Sequence, residues 1–505
     1  MTKNVVKATG LLLLINVCVK LLSFVREMVI ANGFGASSAS DAYLVAFTFP
    51  NFFQSILGYA FVSAALPVIN GCWQRENGRE EAFVIGSSLL NFTALVMAVL
   101  VALGMIFAPA LVWLFAPNFS AETAALSARL TRIIMPSLLF AAVAMMMSAI
   151  LNSRYRFAAA AIGPGLASLG IIIATLFFAH GDIRVVAVGT LVGYLAFMLL
   201  LAADLPRAGF SYRPVCDLSH PQVKRVLRSM LPILLGLAVT QCYTIVNRIF
   251  ASGMTEGSIS ALNYANKVMN LPISLFVVAV ITAVFPKMAE EAGRQDEKAL
   301  GISLSRALTM ILLLTVPATV GLLLLDQPIV QLLFQRGSFD ATATRMTADA
   351  LFAMSPGLIF LAASMLMLRV FYAEGDVKTP LLVGAVSILV NVLASLALMK
   401  PLGHVGLAWA NSLAAAANAG LLAYVLQRRL GCFDPYLRRS LVQILGATLI
   451  MGIALFIVLR VLGPASALAQ VTASIAAALI VYFVCLKLCR AQILSDTWQG
   501  LRLKS

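Results

Sequence analysis

The sequence predicts an all-α polytopic membrane protein of about fourteen transmembrane helices, arranged as two parallel-repeat six-helix lobes plus two C-terminal helices. Three observations predict it. Apolar stretches of about 20 residues or more, each able to cross a hydrocarbon core of about 30 Å, recur from end to end. Basic residues segregate by loop parity. The first two segments are echoed by the seventh and eighth. Composition agrees, with 61% of the 505 residues hydrophobic and 11% charged, against about 25% charged in ordinary globular chains.

In chain order the expected spans are 8–32, 40–69, 82–115, 123–152, 158–180, 184–205, 222–252, 258–289, 299–325, 342–372, 379–400, 404–427, 438–462 and 466–489. The first follows Lys3 and Lys7 as a signal peptide would. Its apolar run continues past Lys20 toward Arg26 without a small-x-small cleavage site, so it is expected to remain as a helix. The second opens on Ser40 and Asp41, types that cap helices. Between the sixth and seventh, Pro206, Pro214 and Pro221 mark a cytoplasmic linker. The chain thus divides into a lobe over 1–206, a linker over 207–221, a second lobe over 222–430, and the last two helices with a cytoplasmic tail over 431–505. Several spans exceed 25 residues, which implies tilt or extension beyond the bilayer. Pro50, Pro136, Pro164, Pro232, Pro272, Pro317 and Pro356 fall inside spans, where each removes a backbone hydrogen bond and permits a kink.

The net charge of +15 does not point to nucleic acid, because its distribution follows topology. With both termini inside, 23 of the 36 Lys and Arg residues fall at the cytoplasmic face. Arg184, Arg336, Lys400 and Arg460 alone fall outside. This is the positive-inside pattern, and it supports both the fourteen-helix count and the orientation with both termini inside. None of the seven cysteines lies in an outer loop, so no disulfide framework is expected. Cys485 and Cys489 stand one turn apart, too few ligands for a metal, and the three histidines are scattered.

The internal repeat has an offset of about 220 residues. Arg26 precedes a Gly/Ser elbow and then Ser40, Asp41, Ala42 and Tyr43; Arg248 precedes a Gly-containing elbow and then Ser260, Ala261 and Tyr264. The Arg-to-Tyr separations are 17 and 16 residues. Both copies start on the same side, a parallel repeat, and such transporters bind substrate between the halves near the midplane. A cation at bilayer depth is costly and usually faces a cavity. Lys20, Arg26, Arg248 and Lys267 therefore predict a cationic cavity for an anionic substrate. The competing reading for each is snorkelling or pairing with Glu27 or Asp41. Asp41 is expected either to gate by pairing with a cavity cation or to cap helix two. Asn51, after Pro50, is expected to bond substrate or a carbonyl freed by the proline.

LLSFVRE, FGASSASDAYLVAF, FPNFF, GSISALNYANKVMNLP, LLFQRGSFDATATRMTADAL, FYAEGDVKTP and HVGLAWANSLAAAANAGLL together resemble the MurJ (MviN) family of lipid II flippases, within the multidrug/oligosaccharidyl-lipid/polysaccharide exporter superfamily. The resemblance covers nearly the whole chain. It implies a two-lobe transporter with a central cationic cavity. The substrate would be undecaprenyl-pyrophosphate carrying a glycan head group, moved from the inner to the outer leaflet by alternating access. A monomer among membrane lipids is also implied. Arg26, Asp41 and Asn51 match the family. Lys20 and Lys267 stand where it usually has Arg, Gln54 stands where it has a third cavity Arg, and LGYAF replaces an acid-containing stretch. Lys is a point charge where Arg grips phosphate with a fork. A head group from an exopolysaccharide or O-antigen pathway is the alternative substrate. Some members hold sodium near the positions of Asn247, Asn391 and Asn411. No cofactor is expected otherwise, and coupling to sodium or to the membrane potential stays open.

No nucleotide-binding GxxxxGK[ST] loop occurs, and the chain is read as a non-enzyme. A multidrug or cation exporter should bury carboxylates, whereas Glu27, Asp41 and Asp349 are the acids within spans, apart from Asp204 at the very end of the sixth. A glycosyltransferase would need large outer loops, and these are short.

Overall fold

The computed structural model describes residues 2–75, 78–432, 434–463 and 466–488. Cys489, Arg490, Arg502 and Lys504 lie outside the described residues, as do the side chains of Lys3, Lys7, Pro232 and Cys242. Among the described residues every regular element is helical. The helices are α1 (Thr2–Phe34), α2 (Ser38–Trp73), α3 (Gly78–Ile106), α4 (Ala108–Phe115), α5 (Ala121–Ile134), α6 (Pro136–Ser153), α7 (Ala158–Phe178), α8 (Ile183–Asp204) and α9 (Pro221–Ala251). They continue with α10 (Ser258–Pro272), α11 (Val278–Gly293), α12 (Glu297–Leu324), α13 (Asp326–Phe334), α14 (Ala341–Met354), α15 (Gly357–Ala373), α16 (Lys378–Leu402), α17 (His404–Leu430), α18 (Pro435–Leu462) and α19 (Ala467–Leu488).

All fourteen expected segments fall on helices, and four of them are interrupted. The third is α3 plus α4 and the fourth is α5 plus α6. The eighth is α10 and α11 joined by a π turn at Ile273–Val277, and the tenth is α14 and α15, bent by 50°. Among the described residues ten stretches, eleven with the bent pair, are long and apolar enough to cross a membrane. The protein is thus a multi-pass membrane protein. Proline explains the interruptions unevenly. Pro136 opens α6, the first-turn position where its missing N–H costs nothing. Pro356 stands in the bend before α15. Pro272 immediately precedes the π turn, a local re-registration of the hydrogen-bond ladder. Pro50, Pro164 and Pro317 sit inside helices that continue past them.

The chain forms two compact units, Met1–Ser260 with Arg336–Phe339, and Ala261–Gln335 with Asp340–Ser505. In the first, Leu57, Phe61, Phe83, Leu89, Ile150 and Leu201 belong to one buried cluster. Glycine lets α7 and α8 approach closely. A Cβ on Gly170 would stand 2.7 Å from the Gly189 carbonyl oxygen, and one on Gly193 2.7 Å from that of Ala167. Small residues at such a seam bring backbones together where lipid gives no hydrophobic drive. Arg156 and Asp204 join the ends of α6 and α8 at 2.5 Å.

The connection between α8 and α9 is docked along α3. Phe210 is buried against Phe83, with ring centroids 5.4 Å apart. Prolines and irregular backbone leave its N–H groups without a helical ladder, and α3 hydroxyls accept them. Arg213 N donates to Ser87 Oγ (2.9 Å) and Asp217 N to Ser88 Oγ (3.0 Å). Asn91 bonds both Val215 O and the Tyr212 hydroxyl at 2.8 Å, and Arg213 pairs with Glu80. α9 then packs on α2, so the seventh helix belongs to the first unit, which continues to Ser260 at the start of α10.

In the second unit α18 and α19 pack on each other and against α12 and α13. Tyr482 donates to Leu313 O at 2.8 Å. The outward face of α18 exposes Val442, Leu449, Ile453, Phe456 and Val461, each at 50% or more. In water such a stripe would be a liability; against lipid it is the expected surface.

Candidate functional site

The site begins at the elbow between α1 and α2. Ser37 caps α2, accepting from Ser40 N at 3.4 Å. Asp41, one residue further, is 4% exposed and turned elsewhere. Its Oδ2 accepts from Gly257 N at 2.8 Å, and its Oδ1 accepts from Ser260 N at 2.7 Å and Ser260 Oγ at 2.5 Å. Asp41 therefore caps the start of α10 across some 216 residues of chain. Of the two readings the sequence left open for this residue, the cap of helix two falls to another. Ser37 caps helix two, and the direct partners of Asp41 are two backbone amides and a hydroxyl.

Backbone contact closes the same place. Gly257 has φ +83, and a Cβ there would stand 2.4 Å from Ala36 O; Gly35 has φ +62, and a Cβ there would stand 2.4 Å from Ser338 O. Both positions need glycine for conformation and for space. Ser338 completes the closure, its N donating to Asn32 O (2.9 Å) and its Oγ to Gly33 O (3.0 Å). Three elbows thus meet with almost no side chain between them.

Beneath the elbows lies a buried charge cluster. Arg26 donates to Glu27 Oε1 at 2.5 Å, with side chains 18% and 6% exposed. Arg248 lies within electrostatic reach of both Asp41 and Glu27. Two guanidinium groups and two carboxylates therefore balance in one low-dielectric region, the condition under which buried ions are tolerated. Tyr43 and Tyr194 flank Arg26. The Tyr43 hydroxyl lies 2.9 Å from Thr190 Oγ1, and the Tyr194 hydroxyl donates to Gln54 Oε1 at 2.8 Å. Gln54 is 4% exposed, and its Nε2 has no hydrogen-bond partner among the described residues.

The other expected residues are dispersed. Lys20 is exposed on α1, one turn before Ser23, which meets Ser168 of α7 (3.2 Å), and it has no ion pair among the described residues. Six residues of helix separate it from Arg26, about 9 Å along the axis. Asn51 is exposed on α2. Lys267 belongs to the second unit and is half-buried. Asn247 donates to Tyr243 O of its own helix at 2.9 Å. In the second unit Asn391 donates to Asn411 Oδ1 at 3.0 Å, and Asn391 Oδ1 is buried without a hydrogen-bond partner among the described residues. α9, α16 and α17 contain no Asp or Glu. A sodium ion here would thus find neutral oxygens on these helices, a weak donor set for a cation.

Sequence reasoning missed Tyr194, Thr190, Gly257 and Ser338. The repeat already aligned Ser260 with the Ser40–Asp41 pair, which was a signal for the cap. Nothing local marked Tyr194.

Residues 30–484 match the family model described as Lipid II flippase MurJ. The chain belongs to the MurJ lipid II flippase family. Relatives include a probable lipid II flippase MurJ from Rickettsia prowazekii, 30% identical over 408 residues, 80% of each chain. The lipid II flippase MurJ of Burkholderia cenocepacia is 30% identical over 440 residues, 85% of each. A solved lipid II flippase MurJ in an inward closed conformation aligns with TM-score 0.84 at 26% identity, covering 96% of this chain and 99% of that one. An inward-facing multidrug MATE transporter of the MOP superfamily shares the fold, with TM-score 0.69 at 14% identity, over 84% and 99%.

Proposed function

We propose that this chain moves lipid II, an undecaprenyl-pyrophosphate-linked glycan, from the inner to the outer leaflet of the bacterial cytoplasmic membrane by alternating access. The observation that carries the reading is that the family match runs from residue 30 to 484 and takes in Asp41, Arg248 and the elbows around them. On this reading both termini are cytoplasmic and the three elbows form the outer gate. Asp41 is the latch. Its bonds to Gly257 and Ser260 hold the gate closed and must break for release outward. Glu27 neutralises Arg26 while the gate is closed. An arriving diphosphate competes with Glu27 for the guanidinium and so loosens the cluster beneath the latch. Lys20 and Lys267 supply positive charge that attracts the head group. Because the unloaded cavity is cationic, an inside-negative potential favours its inward-facing state by up to about 2.3 kcal/mol per charge per 100 mV.

Gln54 favours a second reading, a different polyprenyl-linked glycan. An amide held by Tyr194 stands where the family places a cation, so the head group meets a hydrogen-bonding group there. Native mass spectrometry of the detergent-purified chain separates the two. Lipid II retained at energies that strip an undecaprenyl-linked O-antigen precursor supports the first reading. The reverse order supports the second.

A further inference from the structure

α9 begins with a concentration of charge that its own surroundings do not balance. Lys224, Arg225 and Arg228 occupy its first two turns, and its first turn contains no acid. All three are exposed, and none has an ion pair or side-chain hydrogen bond among the described residues. Lys224 and Arg228 are i,i+4 neighbours of like charge, an unfavourable pairing. They also stand at the positive end of the helix macrodipole, where cations are disfavoured. The nearby acids are engaged elsewhere. Glu81 holds Arg75 at 3.1 Å, and Asp217 accepts from Ser219 N and His220 N at 2.9 and 3.2 Å.

These cations line a hollow. A cavity of about 480 Å³ is bounded by Ser219, Lys224, Arg225, Arg228 and Ser229. A second, of about 270 Å³, lies between α2 and α9, with Ser63, Arg75, Gln222, Arg225 and Ser229 on its walls. Arg225 and Ser229 line both, so the two are one trough. A preference for positive charge at the inner face explains basic residues in this part of the chain. It does not explain three unpaired cations and several hydroxyls gathered around a cavity.

We propose that this trough is a docking site for the phosphate-bearing head group of a membrane lipid. It is separate from the Lys20–Arg26 region and, on the orientation and transport function proposed above, it lies at the inner face, where substrate is collected. Arg225 and Arg228 offer bidentate donors to phosphate oxygens, Lys224 adds a point charge, and Ser219 and Ser229 add hydroxyl donors. Two lipids carry this chemistry, a polyprenyl diphosphate and an acidic phospholipid.

The test measures binding to the full chain in phosphatidylcholine nanodiscs. The probes are farnesyl diphosphate, inorganic pyrophosphate and short-chain phosphatidylglycerol. Lys224→Gln/Arg225→Gln/Arg228→Gln should weaken anion binding about tenfold or more, the loss expected for charge-assisted contacts. Arg225→Lys/Arg228→Lys keeps the charge and the insertion signal but loses the forks. It should bind a few-fold more weakly, and it remains informative if the triple variant inserts poorly. Arg207→Gln, an exposed cation outside the trough, is the charge control. A larger loss for farnesyl diphosphate than for phosphatidylglycerol identifies the diphosphate lipid as the ligand; equal losses identify acidic head groups generally. Unchanged binding of all three probes in both trough variants, or an equal loss in Arg207→Gln, would overturn the proposal. The readout is equilibrium binding, so a failure to flip lipid II would sink the transport reading without touching this one.

Discussion

Asp41→Asn tests the latch most sharply. The carboxylate accepts three hydrogen bonds from the α10 elbow. Asparagine keeps one oxygen for the two Ser260 donors but turns an amide N–H toward Gly257 N–H, donor against donor. A bond to a charged acceptor, about 1.5–3 kcal/mol, is lost outright. The other two fall from charge-assisted to neutral strength, roughly half. A net loss of about 3 kcal/mol in closure changes the closed-to-open ratio about a hundredfold, because 1.4 kcal/mol is tenfold. Ser260→Ala removes one donor and leaves both backbone amides, so its effect should be nearer tenfold by the same conversion. The assay is labelling of a single cysteine at Ala36, whose carbonyl faces Gly257, by an impermeant maleimide in a background lacking the native cysteines. Where opening and closing outpace labelling, the rate tracks the open fraction. Rates should rise about a hundredfold in Asp41→Asn and tenfold in Ser260→Ala. Equal rates in all three folded proteins would refute the latch.

Gly257→Ala should also open the elbow, because its Cβ would stand 2.4 Å from Ala36 O at φ +83; faster Ala36Cys labelling with little change in thermal midpoint is the expected pattern. Tyr194→Phe leaves Gln54 Oε1 buried without a donor, a cost of about 1–3 kcal/mol. The thermal midpoint should fall, and Tyr194→Phe/Gln54→Leu should recover much of it. At the loop before α16, Thr379 N–H, the Thr379 hydroxyl and Arg429 hold the Asp376 carboxyl down at about 2. A depressed carboxyl stabilises the fold above its ordinary value of 3.8 and loses that contribution as pH falls toward 2. The thermal midpoint of Asp376→Asn should therefore lie below wild type at pH 7 and converge with it in acid; a constant gap would contradict this.

Much of the architecture was legible because its signals are local and repeated. Hydropathy placed all fourteen expected segments on helices but missed α13, and the echo of Ser40–Tyr43 in Ser260–Tyr264 located two of the three elbows. The breaks were less legible. Pro136 and Pro356 mark interruptions whereas Pro50 and Pro317 do not, because neighbouring helices decide whether a freed carbonyl is re-satisfied in place. The docking of 206–217 on α3 depends on Ser87, Ser88 and Asn91, which read as ordinary polar residues of an apolar helix. At the site, charge alone nominated Arg26, Glu27, Asp41 and Arg248. Their partners were hidden, since Tyr194 meets Gln54 across 140 residues and Asp41 meets backbone amides, which sequence does not display.

The central claim is transport of lipid II through a cationic cavity. Its most direct test is to express the chain in bacteria depleted of their own lipid II flippase and measure lipid II exposed on the outer leaflet. The account predicts restored exposure, lost again in Lys20→Ala/Lys267→Ala. No restoration by a well-expressed, membrane-inserted protein would contradict it.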